Sequence, residues 1–131
     1  MRQESISELF ENQLDKIPTV AEIPVLASMI PGADIETLRQ LSDRFRQRHK
    51  SGVAVLAGIQ NGNPLLISVV SDDLVKRGLH AGTLAKYLAK PLGGSGGGRP
   101  TMAQAGGKDA KNLEEVVNHV PSWVEENLKD N

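Results

Sequence analysis

The residues best suited to hold a ligand stand together near one end of this 131-residue chain, in the run KPLGGSGGGRPTMAQAGGKDA. Seven glycines fall between Gly93 and Gly107. Glycine has no β-carbon, so a ligand can approach the main chain, and successive N–H groups can form a nest for an anion. Gly93, Gly94, Gly96, Gly97 and Gly98 lead into Arg99, whose forked guanidinium matches a phosphate. Gln104 adds a neutral hydrogen-bonding group, and Lys86, Lys90 and Lys108 flank the run with positive charge. Two other readings fit the same glycines: a flexible linker, and packing of a loop against a β-hairpin so tight that side chains are excluded. A linker separates two domains, whereas only 24 residues follow Gly107. Neither a GxxxxGK phosphate loop nor a GxGxxG dinucleotide turn can be placed on the run.

The other reactive side chains form no catalytic set. His49, His80 and His119 are far apart and none has the spacing of paired metal ligands. Asp72 and Asp73 suit a metal, but also the first turn of a helix, where acidic side chains complement the dipole. Ser95 has no base beside it, and without a single cysteine there is no thiolate chemistry and no disulfide. Tyr87 and Trp123 are able to stack on bases. Each also fits the apolar stripe of a helix, and that core reading is the one their spacing favours.

A net charge of −1 conceals a strong division. Residues 1–43 carry three basic and eight acidic side chains, residues 44–108 ten basic against two acidic, and residues 109–131 two basic against six acidic. Lys76, Arg77, Lys86, Lys90, Arg99 and Lys108 fall in a stretch with no acid at all. A basic block in a near-neutral chain is what a polyanion-binding face requires, and it is equally what a solvated surface with clustered signs looks like. The length suits one compact domain. Aromatics at 3% leave the core to Leu, Val, Ile and Ala. No apolar run reaches the ~18 residues of a membrane span and no signal peptide opens the chain, so a soluble, intracellular protein with no membrane partner is expected.

These side chains need a scaffold, and the periodicities outline one. SISELFENQLDKI places Ile6, Leu9, Phe10, Leu14 and Ile17 on a helical stripe, with Ser5 and Glu8 at capping-box spacing and Pro18 as the stop. EIPVLASMI reads as a strand, and ADIETLRQLSDRFRQRHK as an amphipathic helix with Asp34 at its N-cap. That helix collects Arg44, Arg46, Arg48 and Lys50 at its end, the sign its dipole favours. GVAVLAGI and PLLISVVS, joined through Asn61-Gly62, form a hairpin whose continuous apolar character implies burial on both faces. The preceding strand and helix make a β-α-β crossover into it. A short helix capped by Ser71 and closed by Gly78 follows, then HAGTLAKYLAK with Leu84, Ala85, Leu88 and Ala89 inward. The glycine run and its MAQA segment are expected as loop and turn. A last helix through Leu113, Val116, Val117 and Val120 is expected to be kinked or broken by Pro121. The fold class is α/β (α+β): a single sheet with a β-α-β crossover and a β-hairpin, helices packed on it, and a preceding N-terminal helix.

GGSGGGRPTMAQAGG, with DDLVKRGLHAGTLAKYLAKPL before it, resembles the C-terminal domain of alanyl-tRNA synthetases, and the likeness extends over about residues 22–128. The domain is similar to one carried by DHH-type phosphoesterases. The resemblance divides the chain into a helical linker and possible dimerisation segment at 1–20 and a globular tRNA-binding domain at 21–131. It implies a non-catalytic module that binds the elbow of tRNA-Ala and helps present the acceptor end to the aminoacylation and editing sites. Lys76, Arg77, Lys86, Lys90, Gly93, Gly94, Gly96, Gly97, Gly98, Arg99, Gln104 and Lys108 would make the contacts. No cofactor is implied here, since ATP, magnesium and zinc belong to other domains of the synthetase. Those domains are implied partners, a homodimer is a further one, and the implied location is cytoplasmic, with an organelle left open.

Two alternatives accompany that reading. One is an oligomerisation module that pairs through the stripe Ile6, Leu9, Phe10 and Leu14. The other is the substrate lobe of a phosphoesterase, which needs an Asp-His-His domain upstream. Thr101 stands where this family usually has aspartate, which is expected to remove a negative charge beside Arg99.

Overall fold

The computed structural model describes residues 6–129. The capping box expected at Ser5, and the side chain of Ile6, lie outside the described residues. Helix α1 (Ile6–Leu14) buries Phe10 and Leu14 and ends ahead of Pro18, while Leu9 stays 48% exposed. A two-residue strand that periodicity does not reveal, β1 (Thr19–Val20), pairs antiparallel with β2 (Ile23–Met29). Helix α2 (Ile35–Arg48) follows, its N-cap fixed by Asp34, whose carboxylate accepts the Thr37 N–H at 2.8 Å. It carries Leu38, Leu41 and Phe45 into the core, as its spacing requires.

Strands β3 (Val53–Gln60) and β4 (Asn63–Val70) form the expected hairpin, with Asn61 and Gly62 both at positive φ as a type I′ turn demands. Strand β2 lies parallel to β3, so α2 is the crossover helix of the β-α-β unit. Next come α3 (Asp72–Val75), α4 (Ala81–Ala89) and a 3₁₀ turn over Lys90–Leu92. Ser71 stands at the N-cap of α3 without capping it; its hydroxyl instead donates to Asp73 and accepts the Gly52 N–H.

The glycine run departs from expectation. It forms strand β5 (Ser95–Gly98), and MAQA forms the core of β6 (Met102–Gly106), not a turn. Ladder hydrogen bonds come from the main chain, so glycines can pair as a strand although they lack the side chains that normally signal one. The chain closes with α5 (Leu113–Asn118) and α6 (Val120–Asn127), divided at His119 beside Pro121. Six strands thus form one mixed sheet in the order β1-β2-β3-β4-β6-β5, with β5 at an edge.

Both faces of that sheet are covered, which accounts for the continuous apolar runs. Val25, Val53, Val55, Leu66, Ala103 and Ala105 pack with the inner faces of α4, α5 and α6. Leu26, Ala54, Leu56, Ile67 and Val69 pack with α1 and α2 on the other side. The fold is therefore the α+β arrangement read from the sequence, enlarged by two glycine-bearing strands. Among the described residues no helix is long and apolar enough to cross a membrane.

Candidate nucleic-acid interface

Strand β5 lies against α4 and runs opposite to it. At one end the Ala81 N–H donates to Pro100 O at 2.7 Å, and at the other the Gly94 N–H donates to Ala89 O at 3.1 Å. Ser68, fully buried on β4, donates its hydroxyl to Ala81 O at 2.8 Å and ties the start of α4 to the sheet. His80 caps α4, its Nδ1 accepting the Thr83 N–H at 3.1 Å.

Most of the glycines serve this close approach. A β-carbon at Gly94 would overlap Gly106 O, and one at Gly107 would overlap Leu92 O. At Gly96 it would stand 2.5 Å from the Ala105 Cβ, and at Gly98 it would stand 2.8 Å from Met102 O. The tight partners are thus β6 and the segment after α4, in place of the hairpin that the packing reading named. Gly93 ends the 3₁₀ turn in the left-handed region, φ 68°. Gly97 differs: a β-carbon there would meet only the Lys86 Cε at 3.5 Å. The Arg99 N–H donates to Met102 O at 2.9 Å, and antiparallel alternation then turns the amides of Gly96 and Gly98 toward the open edge of the sheet.

Positive charge follows the same line. Arg99 lies at the Ala81 end of α4, Lys86 stands over Gly97, Lys90 begins the 3₁₀ turn, and the Lys108 N–H donates to Leu92 O at 2.9 Å. All four side chains are exposed, and none forms an ion pair among the described residues. With a helical rise of about 1.5 Å per residue, the row from Arg99 to Lys90 covers roughly 14 Å. That is several backbone phosphates at ~3.4 Å of axis each.

Three of the expected contact residues stand elsewhere. Lys76 and Arg77 sit where α3 meets the end of α6, the Arg77 carbonyl accepting the Lys129 N–H at 2.7 Å. Gln104 alternates with the inward Ala103 and Ala105, so it projects from the face opposite α4. The four cations at the end of α2 are also sorted. Arg44 and Arg48 pair with Glu11 at 3.6 and 3.0 Å, and Arg48 also pairs with Asp15, which fastens α1 to α2. Arg46, His49 and Lys50 line a cleft of about 230 Å³ with Thr101 and Asp72. Thr101 therefore shares a cleft with the α2 cations Arg46 and Lys50.

Against the core position that helical spacing favours, Tyr87 is 46% exposed, whereas Trp123 at 5% is core as expected. Tyr87 lines a cleft of about 420 Å³ with Leu88, Lys90, Pro91, Asn112, Glu115 and His119. The signal was there in its position, next to Lys86 and three residues before Lys90, off the stripe of Leu84, Ala85, Leu88 and Ala89. Among the described residues no group of three or more histidines and carboxylates is placed to hold a metal ion. One carboxyl is shifted by its surroundings near this region. Partial burial pushes Asp73 up, but the hydroxyls of Ser51 and Ser71, at 2.6 and 2.5 Å, and the local amides together hold it below the usual range.

Comparison with known proteins gives consistent results. The alanine–tRNA ligase of Geobacillus thermodenitrificans is 46% identical over 114 residues, covering 87% of this chain and 13% of the ligase. The chain therefore spans about an eighth of the length of that curated relative. The crystal structure of the C-Ala domain from Aquifex aeolicus alanyl-tRNA synthetase matches with a TM-score of 0.75 and 27% identity. That match covers 84% of this chain and 98% of that domain. RecJ from Thermus thermophilus, solved with Mg²⁺, shares the fold at a TM-score of 0.59 and 14% identity, over 96% of this chain and 19% of RecJ. Residues 22–126, from the edge of β2 into α6, match the model of the DHHA1 domain, and the chain belongs to that family.

Proposed function

We propose that the chain is the tRNA-binding C-terminal domain of an alanine–tRNA ligase, which holds the outer part of tRNA-Ala while other domains carry out the chemistry. The observation that carries the reading is the row of Arg99, Lys86, Lys90 and Lys108 along an edge strand of glycines. Unpaired cations beside open main chain suit phosphates. Contacts of that kind position an RNA by its shape and carry no base sequence. The role requires no cofactor within the domain. The similarity to an alanine–tRNA ligase and to a C-Ala domain supports the assignment of the RNA.

A salt series with tRNA-Ala tests this. Four phosphate contacts give a slope of log affinity against log salt of about −3. Removing two of them in Lys86→Ala/Lys90→Ala makes the slope shallower by nearly 2, and Arg99→Ala by nearly 1. Lys76→Ala and Gln104→Ala leave it unchanged, because neither side chain joins the row. Binding indifferent to salt, or no binding at low salt, would sink the reading.

A further inference from the structure

We infer that the cleft beside Tyr87 takes one unstacked nucleobase of the bound RNA. The base lies against the phenol ring, with its phosphate on Lys86 or Lys90. The inference rests on the RNA-binding reading and adds a contact of a different chemistry. Tyr87 leaves nearly half its surface in water, and no aromatic ring packs on it among the described residues. A large apolar ring left open between two lysines is the arrangement that single-stranded nucleic acid uses. The ring holds the base by stacking and the cations hold the backbone.

The cleft has the size and the polarity for this occupant. Its roughly 420 Å³ has buried Leu88 and Val116 as a floor and Pro91 as a second apolar wall. Glu115 on α5, with Asn112 and His119 at its two caps, completes the lining and brings polar side chains into the cleft that holds the ring. A carboxylate accepts only, so Glu115 selects a base edge that bears an amino or imino donor. The charges also fix the direction. Glu114 and Glu115 repel a phosphate from the α5 side, whereas Lys86 and Lys90 attract it on the α4 side. The same two lysines belong to the row along β5, so a strand that follows the row passes the mouth of the cleft.

Stacking and phosphate contacts differ in one readout, since a base laid on a ring releases no counterions. Binding of tRNA-Ala to the 131-residue chain is therefore measured across salt for wild type, Tyr87→Phe, Tyr87→Ala and Lys86→Ala/Lys90→Ala. Circular dichroism confirms that each variant is folded. Tyr87→Ala is expected to lose about tenfold in affinity with the salt slope unchanged, and Tyr87→Phe to stay within about twofold of wild type. The lysine pair loses slope. If wild type binds and Tyr87→Ala binds equally well, the cleft holds no base, although the RNA reading stands. A loss in Tyr87→Phe as large as in Tyr87→Ala shows a hydroxyl contact in place of stacking and overturns the inference. If wild type does not bind tRNA, both fall.

Discussion

Gly94 and Gly97 stand three residues apart in the same run and do different work. A side chain on Gly94 collides with main chain that cannot move without breaking the β5–β6 pairing, whereas one on Gly97 meets the far end of a flexible lysine. Gly94→Ala should cost about 3 kcal/mol or more by urea unfolding, and Gly97→Ala less, its cost coming from a backbone φ of 159° that a side chain rarely adopts and not from a collision. The sequence supports no such ranking, because identical residues carry no trace of what surrounds them. Tyr87 was legible only in part: its place beside Lys86 and off the stripe of Leu84, Ala85, Leu88 and Ala89 points outward, but an aromatic ring at the margin of an apolar stripe fits either side of the boundary.

Asp73 gives a prediction in pH. Its carboxyl is held below the value of an unfolded aspartate, near 3.9, so on acidification the unfolded chain takes up the proton first. The stabilisation is complete above about pH 5 and lost as pH falls through the folded value. The gap in unfolding midpoint between wild type and Asp73→Asn should accordingly narrow between pH 5 and pH 3. A gap of constant size would show that the two serine hydroxyls do not favour the ionised form.

At the scale of elements, those with side-chain periodicity were legible. The β3–β4 hairpin announced itself through Asn61-Gly62 and continuous apolar residues, and α2 through Leu38, Leu41 and Phe45. The break between α5 and α6 came near Pro121 as read. Strand β5 was missed because glycine has no β-propensity to display, β6 because its alanines have little, and β1 because two residues make no pattern. The turn from β1 to β2 passes through Ala21 and Glu22 with φ of 51° and 71°. Both occupy the left-handed region that Asn and Gly tolerate far better. Replacing the pair by Asn-Gly should stabilise the protein by about 1 kcal/mol, which raises Tm by roughly 3–5 °C in a scanning calorimeter. An unchanged Tm would mean that the turn is not held in that conformation in solution.

Over the whole molecule, the division of charge seen in the sequence is part structural and part functional. Glu11 and Asp15 of the acidic opening answer Arg44 and Arg48, which removes those two arginines from the pool open to a polyanion. Phe10 and Leu14 are buried in the chain's own core, which leaves Leu9 as the one exposed apolar side chain that the described part of α1 offers to a second copy. Which cations share a face was not legible in the sequence, since that depends on how α4 docks on β5. The edge strand has one more consequence. An uncovered sheet edge usually invites another chain to extend it through main-chain hydrogen bonds, and the side chains that interlock above and below the new strand add to the joint. Strand β5 offers almost none, so it leaves its main chain accessible to a small charged group, while a neighbouring strand would gain the ladder bonds without the packing. The glycines that open the edge to a ligand thus also make it a weaker template for joining chains than an edge that bears side chains.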